Sequence, residues 1–211
     1  MSSKARPSKG KGNRPVIVVA GESDYDRQVL RHLIQSVHPK TRIANIRKKV
    51  VLTEADKHLR PRVDEIRRLA DTAAVGSELT GIVVHVDLDA VDDARYTKVR
   101  ERIASELSNT FPCPSALALA AFETEAWLMQ FPRAFSKFDS GWTLHNKYRG
   151  CDLTKVDDPK RRLTEHGWKT SYLVSHAPKI MENAFEEDGT LMKPDGKNRS
   201  FQEFMDELSA W

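Results

Sequence analysis

Two aspartates, Asp87 and Asp89, stand two positions apart at the end of the run GIVVHVDLDA. On an extended chain such residues project on the same side, which spaces their carboxylates to share or bridge hard cations. Like charges held this close require a counter-ion or a raised pKa. Magnesium or manganese would neutralise them, activate a water or hydroxyl and stabilise the leaving oxygen of a phosphodiester. The competing reading is that acids after a strand cap the next helix and stay solvated, which accounts for Asp92 and Asp93. A lone Asp-x-Asp is common, so its company decides.

That company is acidic. Glu22, Asp24 and Asp26 follow the apolar run PVIVVAG, and Glu123 and Glu125 follow SALALAAF. Acids in a first helical turn also complement the helix dipole, so Glu123 and Glu125 gain weight as metal ligands only through the other two clusters. Lys160 and Arg161, in DDPKRR, are candidates for phosphate contact, against the ordinary reading of a basic cluster as a solvated face. His85 alternates with Val84 and Val86 and reads as a packed or hydrogen-bonded histidine rather than a ligand. His145, His166 and His176 show no zinc spacing.

The elements that must position these acids alternate. PVIVVAG is a β-branched run closed by glycine, and DYDRQVLRHLIQSV places Val29, Leu30, Leu33, Ile34 and Val37 on one helical face, with Ser23 or Asp24 able to cap it. TRIANI, with KKVVL as a further strand candidate, precedes a helix at PRVDEIRRLADTAA. GIVVHVDLDA precedes a helix at RYTKVRERIASELSNTF, and SALALAAF runs directly into one near ETEAWLMQF. This alternation predicts an α/β domain over residues 15–130, a mainly parallel sheet with helices on its faces. Ligands of such sheets collect outside the carboxyl ends of the strands, where all three acidic clusters fall.

Residues 131–211 change character to short, aromatic-rich pieces, read as a helical extension packed on the core. EEDGTLMKPDGKNRS is expected to be an exposed connection, and SFQEFMDELSAW to dock Phe201, Phe204, Met205 and Leu208.

Composition narrows the setting. The chain has 211 residues, 39% hydrophobic and 30% charged, within the globular range and with no apolar run long enough for a membrane span. With no secretory leader and two cysteines outside any CxxC pair, a reducing cytoplasm is expected. The net charge of +4 is local: Lys4, Arg6, Lys9, Lys11 and Arg14 carry five positive charges, and removing them leaves −1 for residues 15–211. Residues 1–14 therefore read as a disordered basic tail. Lys9, Lys11 and Arg14 are candidates for non-specific phosphate binding through counterion release, and a solubilising leader is the equal alternative.

The order of motifs, a strand ending in GESDYD, a strand ending in DLD, then AAFETEAWLM, DDPKRRL and SFQEFMDEL, resembles the Toprim fold over roughly residues 15–210. Within it the chain is similar to bacterial RloB-like proteins of unknown or defence-related function and, more distantly, to the nuclease domains of overcoming-lysogenisation-defect proteins. The resemblance implies a compact α/β sheet whose acids hold magnesium for strand cleavage, rejoining or primer synthesis. Asp87, Asp89 and Glu125 match the family's acidic positions, with Trp127 completing Glu-x-Trp. The first motif departs: Ala20-Gly21 stands where the family reads Glu-Gly, and Glu22 is the residue that can reach the same space as acid/base and ligand.

The leading expectation is thus a magnesium- or manganese-dependent nuclease or related phosphotransfer enzyme acting on DNA or RNA. Its expected site is Asp87, Asp89, Glu22, Glu125 and Glu123, and the expected setting is phage defence, alone or within a larger protein complex. The alternative is a non-catalytic module that binds nucleic acid or protein. A lesser one is a haloacid dehalogenase-type phosphatase, since VVHVDLDAV resembles its nucleophile strand, with the later lysine and paired acids sought in KVDDPK.

Overall fold

The computed structural model describes residues 14–52 and 59–211. Four strands form one all-parallel sheet, β1 (Arg14–Ala20), β2 (Arg42–Asn45), β3 (Ser77–Asp87) and β4 (Ser115–Ala120), in the order β2-β1-β3-β4. The α/β class and its parallel sheet are as expected. Lys9 and Lys11 lie outside the described residues, whereas Arg14 opens β1 and pairs with Ser77, so the strand begins one residue inside the expected tail.

Between the strands run α1 (Asp24–Val37), α2 (Leu59–Ala73) and α3 (Ala94–Thr110). Ser23 caps α1 by accepting from the Asp26 amide at 3.1 Å, and Asp93 caps α3 by accepting from the amides of Arg95 and Tyr96. The run KKVVL, a strand candidate by composition, joins no ladder. Its Val50 and Leu52 are buried among α2 and the sheet, and the Val50 amide donates to the Gly21 carbonyl at 3.2 Å.

Each face of the sheet carries its own core. Val16, Val18, Ala20, Val84 and Val86 pack with α2 and α3. Ile17, Val19, Val83, Ala118 and Ala120 pack with α1 and with the C-terminal segment. Alternation places His85 and Asp87 on the side of Val83.

The segment beyond β4 contains α4 (Glu125–Leu128), α5 (Pro132–Phe138), α6 (Pro159–Thr164), α7 (Ala177–Asn183) and α8 (Arg199–Ser209), with short 3-10 turns between them. It belongs to the same core as α1: α7 packs on α1 and α5, and α8 on β4. Phe201, Phe204 and Leu208 are buried and Met205 partly so, as the helical spacing of SFQEFMDEL predicts. The connection at 186–200 is less exposed than its composition implies. Met192 is buried, the Asp195 amide donates to the Gln130 carbonyl at 2.7 Å, and Asn198 caps α8. Among the described residues no helix is long and apolar enough to cross a membrane.

Candidate metal centre

The chain order reverses direction between β1 and β3: β2 lies to one side of β1, and β3 and β4 to the other. Diverging loops open a crevice outside the carboxyl ends of such a central pair. Here β1 ends at Ala20 and β3 at Asp87. Gly21 makes the close approach possible, since a Cβ there would lie 3.1 Å from the Cβ of His85 and 3.4 Å from the Cγ of Arg27. Arg27 is buried and donates to the Gly21 carbonyl at 2.9 Å, which fixes the turn.

Inside the crevice Asp26, His85 and Asp87 form the compact group of potential ligands among the described residues, with ligand atoms all within 4.8 Å of one another. Nε2 of the fully buried His85 lies 2.8 Å from Thr124 Oγ1 and 3.4 Å from Asp87 Oδ1, while its Nδ1 lies 3.9 Å from Asp26 Oδ2. Ser23 Oγ donates to that same Asp26 oxygen at 2.5 Å. His85 Nδ1 and Asp87 Oδ1 are both buried without a well-formed hydrogen bond in the protein, the Asp87 oxygen facing only His85 Nε2 across 3.4 Å. Buried polar atoms are ordinarily satisfied, so two orphans in one three-residue group fit a further ligand such as a divalent cation.

Burial opposes charge on His85 more than any other influence, but Asp87, Asp26 and Glu22 together overcome it and push the imidazole up to about 9. At neutral pH the metal-free group therefore holds its own cation, the counter-charge that clustered carboxylates require.

Some of the other predicted residues lie near this group and some do not. Glu22 is half-buried and pairs with Lys49 at 3.6 Å; burial first, and then Asp87, raise its pKa. Ala20, where the resemblance places a glutamate, is buried in the core beneath α2 and α3. Acidity thus enters the crevice from the turn after the strand.

Glu125, only 3% exposed, accepts from Tyr172 Oη at 3.0 Å, and burial above all raises its pKa to about 7. Glu123 pairs with Lys160 and accepts from the Lys160 amide at 3.3 Å, so Lys160 does reach the acidic edge. Arg161 turns to Asp158 at 3.1 Å on the exposed side of α6. Arg14 sits at the opposite end of β1, roughly 20 Å away by strand rise. Of the acids in KVDDPK, Asp157 pairs with Arg162 at 2.6 Å and Asp158 caps α6, so both serve that helix.

Asp89 departs from the geometry that motivated it. The strand ends at Asp87, Leu88 is buried, and Asp89 adopts a left-handed backbone with φ of 53°. It is not the same-side partner of Asp87 along an extended chain. It still feels that carboxylate: burial, then Asp87, raise its pKa, against Lys160 and Arg95.

The residue that does satisfy the two-apart rule is His85, within the strand. His85 is packed and hydrogen-bonded to Thr124, as its alternation with valines implies, and the same alternation in HVD sets it beside Asp87. Asp26 was equally visible, as the third residue of a helix whose first turn faces the crevice.

Compared with family models, curated proteins and solved structures, the chain matches none of them. Fold and site nevertheless define a class: a parallel α/β domain with a carboxylate-rich crevice at its strand-order switch.

Proposed function

We propose that this protein is a metal-dependent nuclease or related phosphotransfer enzyme acting on nucleic acid, built on a Toprim-like scaffold. The observation that carries the reading is the pair of orphaned atoms, His85 Nδ1 and Asp87 Oδ1, in the compact group at the switch crevice. Asp87 and Asp26 would hold the cation, with Asp89 and Glu22 beside them. The carboxylates suit magnesium or manganese, and an imidazole in the set favours the later transition ions. When bound, the cation supplies charge neutralisation and a more acidic water at the phosphodiester.

The remaining chemistry belongs to the chain. Glu22, half-buried with a raised pKa, is the residue assigned to move a proton. Glu125 holds a proton near neutrality and, through Tyr172, ties the crevice to the C-terminal segment. Lys160 holds Glu123 and brings positive charge to the edge where a scissile phosphate would lie. The motif order supports a cytoplasmic effector of phage defence, acting alone or in a larger complex.

The test is titration calorimetry with manganese and magnesium on the wild type and Asp87→Ala, then cleavage assays on plasmid, linear and single-stranded DNA and on RNA. Wild-type metal binding and metal-dependent cleavage, both lost in the Asp87→Ala/Asp89→Ala double variant, are expected. Cleavage that survives in the double variant sinks the assignment.

A second reading has its own observation. His85 can serve as the permanent cation of this cluster, with Ala20 buried where a catalytic glutamate is expected. The protein is then a non-catalytic binding module, and the calorimetry above would show no metal uptake.

A further inference from the structure

Four aromatic rings of the C-terminal segment form a column that ends in solvent. Trp142 stacks on Trp168 at 4.4 Å with planes 8° apart, Trp168 on His166 at 4.2 Å and 20°, and His166 on His145 at 3.9 Å and 13°. Trp142 and His166 are buried, Trp168 is half-buried and His145 is exposed. Two hydrogen bonds set the rings in place. Trp168 Nε1 donates to the Thr143 carbonyl at 3.3 Å, and the His145 amide donates to His166 Nε2 at 3.0 Å.

The second bond requires Nε2 to accept, so the His166 ring is neutral with its proton on Nδ1. Burial, then His145 and Lys147, hold its pKa down at about 4. At the inner end Trp142 contacts Tyr172, whose hydroxyl donates to Glu125. The column therefore leads from the acidic edge to the surface.

Core packing accounts for the buried rings but not for the outermost one. An aromatic ring in a core gains by removing area from water, whereas His145 lies parallel on His166 with its residue exposed. Successive near-parallel planes at about 4 Å are the arrangement of stacked bases. Exposed Lys147 and Lys169 adjoin the column in the chain, and among the described residues neither forms a salt bridge. Lys147 Nζ lies 4.9 Å over the ring of Tyr148, on the same stretch of chain.

We propose that the open face of His145 receives an unpaired nucleobase of single-stranded nucleic acid as the fifth ring of the column, with Lys147 and Lys169 contacting the neighbouring phosphates. This rests on the nuclease reading and gives it a substrate class: single strands, or strands with unpaired bases. Stacking of this kind tolerates any base, because every base has a π-face. A closed duplex keeps its bases stacked on one another and cannot offer one.

The test is fluorescence anisotropy of the full chain, in chelator and without divalent metal, against three labelled probes. These are a short oligothymidylate, an abasic oligomer of equal length and a duplex. The oligothymidylate should bind more tightly than the other two. His145→Ala should weaken its binding about fivefold or more and leave the abasic oligomer unaffected, while His145→Phe restores it. Lys147→Ala should weaken both single strands alike and flatten their salt dependence.

Equal binding of abasic and base-bearing strands, unchanged affinity in His145→Ala, or no binding of the oligothymidylate overturns the proposal. Thermal melting of each variant identifies any that fails to fold. With no metal present and no cleavage read, a failure here leaves the metal-dependent chemistry standing, and a failure of cleavage leaves the stacking result standing.

Discussion

Where α8 meets α3 and β4, each carboxylate is matched by donors. Glu207 pairs with Arg100 and accepts from the Leu117 amide at 2.8 Å, and Glu203 takes Arg100 Nε at 2.8 Å, Tyr96 Oη at 2.7 Å and Arg199 Nε at 2.8 Å. In the switch crevice the balance is reversed. Asp26, Asp87 and Glu22 crowd around one imidazole, and a buried oxygen of Asp87 has no well-aligned hydrogen-bond donor. Both regions are acidic and partly buried, so acid content alone does not separate structure from chemistry. The supply of donors does: a satisfied carboxylate holds two helices and a strand together, and an unsatisfied one is available to something else.

The contrast is most exposed to the exchange of Asp87 for alanine. Metal affinity and cleavage should fall by more than about 100-fold, the upper range for losing even an outer-shell partner of a metal ligand. Urea unfolding in chelator above pH 9, where His85 has lost its proton, should change less than for Glu207→Ala. A metal-free destabilisation by Asp87→Ala equal to that of Glu207→Ala under those conditions would break the comparison.

Glu22→Gln sharpens it next. If Glu22 moves the proton, cleavage drops about 100-fold and the limb of the pH–rate profile assigned to a raised carboxyl disappears. Metal affinity should change by less than tenfold. An unaltered profile assigns Glu22 a purely electrostatic part.

On the structural side, Glu207→Ala removes an ion pair and a backbone acceptor. It should cost about 1–3 kcal/mol in urea unfolding with metal binding intact.

The last effect is one of pH. A histidine whose folded pKa stands near 9, above its ordinary 6.5, contributes stability that is complete below about 6.5 and is lost as pH rises through 9. Metal-free protein should lose stability across that window, and His85→Gln should flatten the decline. Manganese should reverse the slope, because a cation competing with the proton binds better as pH rises.

Much of this was legible in the sequence. The bounds of α1 follow from its apolar stripe and Ser23, and the α8 face from Phe201, Phe204 and Leu208, because local periodicity and capping decide amphipathic elements. KKVVL misled because β-branched residues bury equally well without a partner strand. The crevice was legible as a gathering of acids from three loops, since strand ends in a parallel sheet share one edge. Its centre was not. Pairing Asp87 with Asp89 assumed an extended chain beyond residue 87, whereas the strand stops there and His85 takes the same-side position. Contacts such as Lys160 with Glu123 and Tyr172 with Glu125 span tens of residues and have no local signature.

Past the last rung of the sheet, the loops after β3 and β4 stay joined. The Leu88 amide donates to the Ala120 carbonyl at 3.0 Å, Asp89 to Phe122 at 3.2 Å and Phe122 to Ala90 at 2.8 Å. Asp89 and Phe122 both turn left-handed there, with φ of 53° and 58°. A phenylalanine in that conformation costs of order 1–3 kcal/mol and persists only where its surroundings over-determine it. The two loops are thus one mechanical piece, a stiff clasp rather than two independent lids. Anything that shifts the backbone beneath Asp89 carries Glu123 and its lysine along, so this side of the crevice moves as one body.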